Sequence, residues 1–272
     1  MLEDAGVPDL PYGYRGHFAR PEESDLIGDR PWQFLEEVLG REKCILYINA
    51  LGTPPADIIE ACHNNGMKVG ALAGKVHHAI KHRDAGCDLV VSVGGEAAGH
   101  TGDISTFVLL PQIADAVAPL PVLAAGGVST GRHVAAAMVL GAQGVWTGSI
   151  WLPTQQSELS EAQRNKIIAA SSEDTVISRC LTGKTVRMLK SKFTEAWEAE
   201  DAPEFLPMPL QSMLVHDASS RIDKYEAVEL LTYPAGQAIG QVKHSTSVRQ
   251  VMQDLMTDYT DALDKISALN QG

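Results

Sequence analysis

Short apolar runs alternate with longer amphipathic segments through the middle of the chain. The apolar runs are bounded by Gly, Pro or Asp and are KCILYINA (43–50), MKVGALA (67–73), CDLVVSV (87–93), PVLAAGG (121–127) and GVWTGSI (144–150). Runs of this kind are typical of parallel strands that are buried on both faces. The intervening segments have helical periodicity and cover 54–65, 75–85, 106–118 and 131–141. The alternation predicts an α/β fold of βα units around a parallel sheet or barrel.

The two ends of the chain have other patterns. Residues 1–30 mix Pro, Gly and charge without periodicity, as in a long loop. From about residue 155 strand signals become scarce, and residues 247–269 repeat apolar side chains at helical spacing. The pattern predicts a terminal helix that packs on the domain or on a second subunit. We divide the chain into a loop-rich segment (1–42), a βα barrel portion (43–160) and a mainly helical segment (161–272).

Length and charge narrow the class of protein. The 272 residues, 44% of them hydrophobic, suffice for one large α/β domain or a domain with an appendage. A net charge of −12 repels nucleic acids and anionic membranes. The sequence contains no long apolar stretch and no apolar core of a signal peptide in its first thirty residues. We expect a soluble, cytoplasmic protein without nucleic-acid or membrane partners.

Cysteine and histidine spacing does not indicate a metal site. The four cysteines lie far apart without a CxxC pair, so reduced and mostly buried thiols are expected. His78 and His82 have i,i+4 spacing but lack an acidic ligand motif, so we expect them on a solvated helix face.

Two glycine loops suggest a phosphate site. Right-handed crossovers place every strand-to-helix loop at one end of the strands. Gly126 and Gly127 follow one predicted strand, and a helix that begins near Ser129 would add its positive N-terminal end. Gly148 and Ser149 follow the next strand. The pair of loops predicts a phosphate-bearing ligand, without the G-x-G-x-x-G form of a dinucleotide site.

His100 is flanked by glycines in the loop GGEAAGHTGD, which follows a predicted strand. A neutral imidazole there can hydrogen-bond an anion or take a proton from carbon. The alternative is a loop histidine that caps backbone carbonyls. Glu96 could anchor this loop, and Asp103 could cap the segment that begins near Ile104.

These motifs together resemble one enzyme family. The stretch GGEAAGHTGD…TFVLLPQIADAV…PVLAAGGVSTGRHVAAAMVLGAQGVWTGSIWL, continued by DTVISRCLTGKTVRMLK, resembles the nitronate monooxygenase family over about residues 43–190. The resemblance implies an FMN-dependent TIM barrel that oxidises alkyl nitronates with molecular oxygen to a carbonyl compound and nitrite, with the FMN site in the barrel portion.

The resemblance also implies roles for individual residues. His100 would orient the nitronate or deprotonate a nitroalkane. Gly99 would belong to the same flavin-facing loop, and the FMN phosphate would be held by Gly126, Gly127, Gly148 and Ser149. The partners would be a small nitronate or nitroalkane and O2, and a homo-oligomer is left open.

The chain departs from the family pattern at three places. Val93 stands where a flavin-binding Gln is common, and Ala98 stands where a second glycine is usual. If 121–125 and 144–149 are the last two barrel strands, then 43–49 is the fourth, so the first strands are lacking. A truncated product is the favoured explanation, against completion by another chain or by residues 1–42 and the C-terminal helices.

Two other functions stay open. A flavin-dependent enoyl-(acyl-carrier-protein) reductase shares the architecture and much of the motif set. A non-catalytic truncated barrel that binds a phosphate compound or a partner subunit is the third hypothesis.

Overall fold

The structure is a computed structural model that describes residues 2–11, 35–39, 41 and 43–269. The loop predicted for 1–42 lies largely outside these residues. Residues 2–11 form a turn and an extended stretch, in which Val7 is buried. The Arg221 guanidinium donates to the Val7 and Pro8 carbonyls, at 2.5 and 2.8 Å. This stretch is therefore fastened to the C-terminal part of the chain.

The predicted parallel sheet is present. Within the described residues its strands are β1 (Leu46–Asn49), β2 (Lys68–Ala73), β3 (Leu89–Val93), β5 (Val122–Ala125) and β6 (Gly144–Trp146), and they are adjacent in that order. All four strand pairs are parallel. Each predicted strand thus forms within its predicted run, and most are shorter than predicted by several residues at one or both ends.

Helices connect these strands. They are α1 (Ala56–Asn64), α2 (Val76–Asp84), α3 (Thr106–Val117) and α4 (Gly131–Val139). Side chains alternate between two cores, since Val90 belongs to the layer between the sheet and these helices while Val91 belongs to the layer on the other face. Both faces are covered at the central strands β2, β3 and β5, which explains their continuous apolar runs, whereas the edge strands β1 and β6 are partly exposed. The predicted α/β fold of TIM-barrel-type units is confirmed.

The C-terminal part holds a second sheet that the apolar pattern did not predict. In the described residues, β4 (Gly99–His100), β8 (Val186–Leu189) and β7 (Thr175–Ser178) form an antiparallel sheet in that order. Its own core includes Val186, Phe193 and Val215. The histidine loop is therefore fastened to a segment more than eighty residues further along the chain.

The helices that follow β6 in the described residues are α5 (Glu161–Ala169), α6 (Lys192–Trp197), α7 (Leu210–Lys224) and α8 (Val248–Leu269), with short 3-10 turns at Ser149–Trp151, Ser172–Asp174 and Gln237–Gln241. The terminal helix packs closely on α4, because a Cβ added to Gly131 would meet the Tyr259 backbone nitrogen at 2.0 Å. Within the described ranges, every helix is too short or too polar to span a bilayer. The three-segment division of the chain stays a prediction.

Candidate functional site

The loops after β3, β5 and β6 meet around one cavity of about 370 Å³. Its walls include five of the predicted site residues, namely His100, Gly126, Gly127, Gly148 and Ser149. Gly99 lines a neighbouring cavity that also touches His100. The right-handed βα units place these loops at the carboxyl ends of the parallel strands, where such folds bind their ligands.

The loop after β5 needs its two glycines. Gly126 and Gly127 have φ of +100° and +72°, a region that residues with a Cβ rarely adopt. A Cβ on Gly126 would also meet the Ala97 backbone nitrogen at 3.1 Å. The loop therefore brings its backbone close to the histidine loop.

Glu96 fixes the relative position of these two loops. Its carboxylate accepts hydrogen bonds from the N–H and hydroxyl of Thr106 at 2.9 and 3.0 Å, at the start of α3. The same hydroxyl lies 3.1 Å from the Gly126 carbonyl oxygen. Glu96 thus anchors the loop as suggested by the sequence. Glu96 also accepts hydrogen bonds from the first residue of α3, where the sequence suggested a cap by Asp103.

The N-terminus of α4 is taken by a carboxylate of the protein itself. Asp258 on α8 accepts the Arg132 N–H at 3.0 Å, and this bond lowers the pKa of Asp258. Thr130 caps the same helix through the His133 N–H. The helix end that the sequence suggested for a phosphate is therefore occupied by Asp258, which the sequence could not indicate.

Loop N–H groups remain to bind an anion. In the part of the chain that the structure describes, the N–H groups of Gly127 and Gly148 donate to no protein acceptor. A Cβ on Gly148 would meet no atom within 4 Å, so this backbone faces open space. The buried Ser149 hydroxyl accepts the Gly236 N–H at 2.9 Å and retains its own proton for a ligand. These groups can bind a phosphate-type anion.

His100 lies on a paired strand rather than on a free loop. Gly99 and His100 form β4 and pair with Arg187 and Val186 of β8. The Arg187 side chain also donates to the Gly95 carbonyl oxygen at 2.8 Å. The glycine-rich sequence allows the sharp turn at Gly99, where φ is +74°, but the strand pairing fixes the histidine.

His100 is hydrogen-bonded through Nε2. This nitrogen lies 3.1 Å from the Thr182 hydroxyl, which also lies 3.2 Å from the Lys184 carbonyl oxygen. The hydroxyl proton can serve either acceptor, so both tautomers of the imidazole are compatible with these contacts. In either tautomer one ring nitrogen of the neutral imidazole is unprotonated and basic.

Burial lowers the pKa of His100, and the positive charge of Lys184 lowers it further. The imidazole is therefore neutral at neutral pH. Thr182 and Lys184 belong to the turn between β7 and β8, and sequence analysis gave neither a role. The TGK turn between two short alternating runs is the only signal that could have indicated them.

His100 also borders a larger cavity of about 720 Å³. Lys75, Lys81 and Lys184 contribute positive charge to its walls, in a chain of net charge −12. His82, expected on a solvated face, is instead buried, with its ring nitrogens 2.9 Å from the Thr53 hydroxyl and 3.1 Å from the Leu72 carbonyl oxygen. The expectation failed because α2 turns His82 toward the loop after β1.

The departure at Val93 has a structural consequence. Val93 is buried at the end of β3 and lines the 370 Å³ cavity with an apolar side chain. No amide from this position can hydrogen-bond a bound ring system.

A comparison with known families matches residues 26–258 to the nitronate monooxygenase model. The chain is 45% identical over 251 residues to Rv1533 of Mycobacterium tuberculosis, which has a provisional monooxygenase name. It is 33% identical over 226 residues to a Staphylococcus aureus protein with a provisional nitronate monooxygenase name. The alignments cover 90% and 74% of this chain, and 67% and 62% of the relatives.

Solved structures with the same fold include FabK of Thermotoga maritima, with 28% identity and a TM-score of 0.76, over 88% of this chain and 76% of that one. The nitroalkane oxidase of Streptomyces ansochromogenes has 23% identity and a TM-score of 0.77, over 85% and 68%. The similarity to the nitroalkane oxidase shows only that the two proteins share a fold.

Proposed function

Because the chain belongs to the nitronate monooxygenase family, we propose that it is an FMN-dependent oxidoreductase that oxidises alkyl nitronates with O2 to a carbonyl compound and nitrite. One observation carries this proposal. The glycine loops after β5 and β6 meet His100 at a single cavity. Phosphate-binding backbone and a neutral base then lie in one place.

The phosphate of FMN would be held by the loops after β5 and β6. Gly126 and Gly127 supply backbone that can approach an anion closely, while Gly148 and Ser149 add an N–H group and a hydroxyl. Gly99 and Ala98 would border the ring system beside His100. The flavin, when bound, supplies the electron-transfer chemistry with O2, and the protein binds and orients the reactants.

His100 would act on the substrate as a base or as a donor. The unprotonated ring nitrogen of His100 can take the α-carbon proton of a neutral nitroalkane. The imidazolium that results stays beside the nitronate anion and balances its charge. A substrate supplied as a nitronate needs no such proton transfer, so His100 would only orient it.

Lysines at the 720 Å³ cavity support an anionic substrate. Lys75, Lys81 and Lys184 border the approach to His100, and Asp103 is the acidic residue on the same walls. A local positive field in an acidic chain raises the concentration of anions at the entrance. The field favours the nitronate over the neutral nitroalkane in the binding step.

The visible spectrum and oxygen consumption test the proposal. We expect yellow protein that consumes O2 with propionate 3-nitronate or 2-nitropropane. The variant His100→Ala should keep FMN but lose turnover of neutral 2-nitropropane by about 10²-fold or more, because the base is removed. Turnover of preformed nitronate should fall less. His244→Ala, an exposed histidine away from the cavity, is the matched control.

A colourless protein that added FMN cannot reconstitute would contradict the proposal for this chain. Equal losses of turnover in His100→Ala and His244→Ala would contradict only the role proposed for His100. The proposed FMN-dependent function would stand.

A second candidate is an enoyl-thioester reductase that uses NAD(P)H. It is favoured by the likeness to FabK, which is 28% identical with a TM-score of 0.76. Rapid anaerobic bleaching of the flavin by NADH or NADPH, followed by reoxidation with a crotonyl thioester, would support this function. Oxygen consumption with a nitronate, without bleaching of the flavin by NADH or NADPH, would support nitronate oxidation instead.

A further inference from the structure

Asp258 engages the anion-binding groups at the start of α4. Its carboxylate accepts the Arg132 N–H at 3.0 Å, and the Gly131 N–H and the Thr130 hydroxyl interact with the same carboxylate. The His133 N–H donates to the Thr130 hydroxyl instead, at 3.4 Å. Each N–H group of this first turn is therefore engaged within the protein, and the partial positive charge of the helix end already faces a carboxylate.

Asp258 lies directly behind the loops proposed for the phosphate. Together with Ser129 and Ile150 it lines a cavity of about 310 Å³. Ser129 follows Val128 in the chain and Ile150 follows Ser149, and both Val128 and Ser149 line the 370 Å³ cavity. Val128 and Ile150 are buried. A thin wall of protein therefore separates the carboxylate from the phosphate site, and charges interact more strongly through such a wall than through water.

The ion pair with Arg132 offsets the charge of Asp258 only in part. The Arg132 Nε lies 3.6 Å from the carboxylate, and 70% of the Arg132 side chain is exposed. Water screens an exposed cation of this kind, and the long side chain is free to turn away. The field of the Asp258 carboxylate therefore reaches the loop after β5.

We propose that Asp258 weakens the binding of the FMN phosphate, and so sets how strongly the chain prefers FMN to a flavin without a phosphate. This inference rests on the proposed function for the position of the phosphate. Thr130 is three residues after Gly127. Because consecutive Cα atoms are about 3.8 Å apart, the two negative charges lie about 10–15 Å from each other. Like charges at this distance near a protein surface lower affinity about six- to sixteenfold before salt screens them.

Flavin binding to the purified chain, freed of flavin, tests this role without turnover. Quenching of flavin fluorescence gives the Kd of FMN and the Kd of riboflavin, which lacks the phosphate. We expect Asp258→Asn to raise the ratio of the riboflavin Kd to the FMN Kd by about threefold or more in about 0.1 M salt. The amide keeps an acceptor for the Arg132 N–H but loses the charge. Asp261→Asn removes the same charge from an exposed position of α8 and should leave the ratio unchanged.

Each outcome decides for or against the inference. Cooperative thermal unfolding checks that the variants fold, and Asp258→Ser replaces Asp258→Asn if that variant does not. Equal ratios in Asp258→Asn and Asp261→Asn would overturn the inference, and so would a fall in the ratio, which would mean that Asp258 only positions the loop.

The proposed function and this inference fail in different ways. A chain that shows the expected ratios but consumes no O2 with a nitronate would reject the proposed function alone. A chain that consumes O2 with a nitronate, while its ratio is unchanged in Asp258→Asn, would reject the role of Asp258 alone. A chain that binds neither flavin would reject both.

Discussion

Two neighbours set the chemical state of His100. The Thr182 hydroxyl lies 3.1 Å from Nε2, and burial together with the Lys184 charge lowers the pKa of the imidazole. Both neighbours lie in the β7–β8 turn, which the strand pairing of β4 with β8 brings beside the histidine. A base that is neutral at neutral pH is ready to take a proton without a prior ionisation step.

Lys184→Gln should raise the pKa of His100, because a nearby cation disfavours the protonated imidazole and its removal relieves that effect. A base works only when deprotonated, so the acid limb of kcat/KM for 2-nitropropane should move to higher pH. The pH profile of the variant measures the shift. Lys190→Gln, an exposed lysine just after β8, is the control. An unchanged acid limb in Lys184→Gln would refute the coupling.

At the scale of elements, the loops around the candidate site are fixed by helix ends. Glu96 ties the histidine loop to the start of α3, and Thr106 links that helix to the loop after β5. On the other side, α8 supplies Asp258 to the start of α4 and packs against Gly131. Helix α4, which follows the glycine loop after β5, is thus held in place by α8.

Gly131→Ala should destabilise the protein, although alanine is normally the better helix residue. The added methyl group would meet the Tyr259 nitrogen and the Leu255 oxygen at 2.0 and 2.3 Å, so the two backbones must separate. We expect the free energy of unfolding to fall by about 1–3 kcal/mol, measured by urea denaturation. Val139→Ala, on an exposed position of the same helix, should change it by less than about 0.5 kcal/mol. A Gly131→Ala protein more stable than the parent would contradict the close packing.

For the whole molecule, charge is unevenly distributed. The chain has a net charge of −12, yet three lysines border the cavity beside His100. Burial also lowers the pKa of His78, His82, His100 and His133 below the ordinary 6.5. At mildly acidic pH these histidines are therefore protonated more readily in the unfolded chain than in the folded chain.

This difference predicts sensitivity to mild acid. Below pH 6.5 the unfolded chain binds protons at these histidines first. The free energy of unfolding should then fall as pH drops through 6.5 and continue to fall until the lowered pKa values of the folded chain are reached. Urea titrations from neutral pH to pH ~5 measure the slope. His82→Gln should reduce it and exposed His244→Gln should not, and equal slopes in all three proteins would refute the assignment.

Local pattern was sufficient for the strands of the parallel sheet, because each lies in a continuous apolar run that is bounded by Gly, Pro or Asp. The strands β1 to β3, β5 and β6 and the helices between them follow from apolar runs and helical spacing. Strand β4 has two residues and exists only through its pairing with β8, so no periodicity could reveal it. The strands β7 and β8 have the sequences TVIS and VRML, which mix polar with apolar residues, so no continuous apolar run marks them.

The sequence by itself determined the parallel βα framework, the glycine loops at its strand ends and His100 as the candidate base, because backbone geometry and apolar periodicity are local properties. The tertiary structure alone decided that Asp258 occupies the start of α4 and that Thr182 and Lys184 set the state of His100. These features join residues about eighty or more positions apart, and only the packing of helices and the pairing of strands brings such residues together.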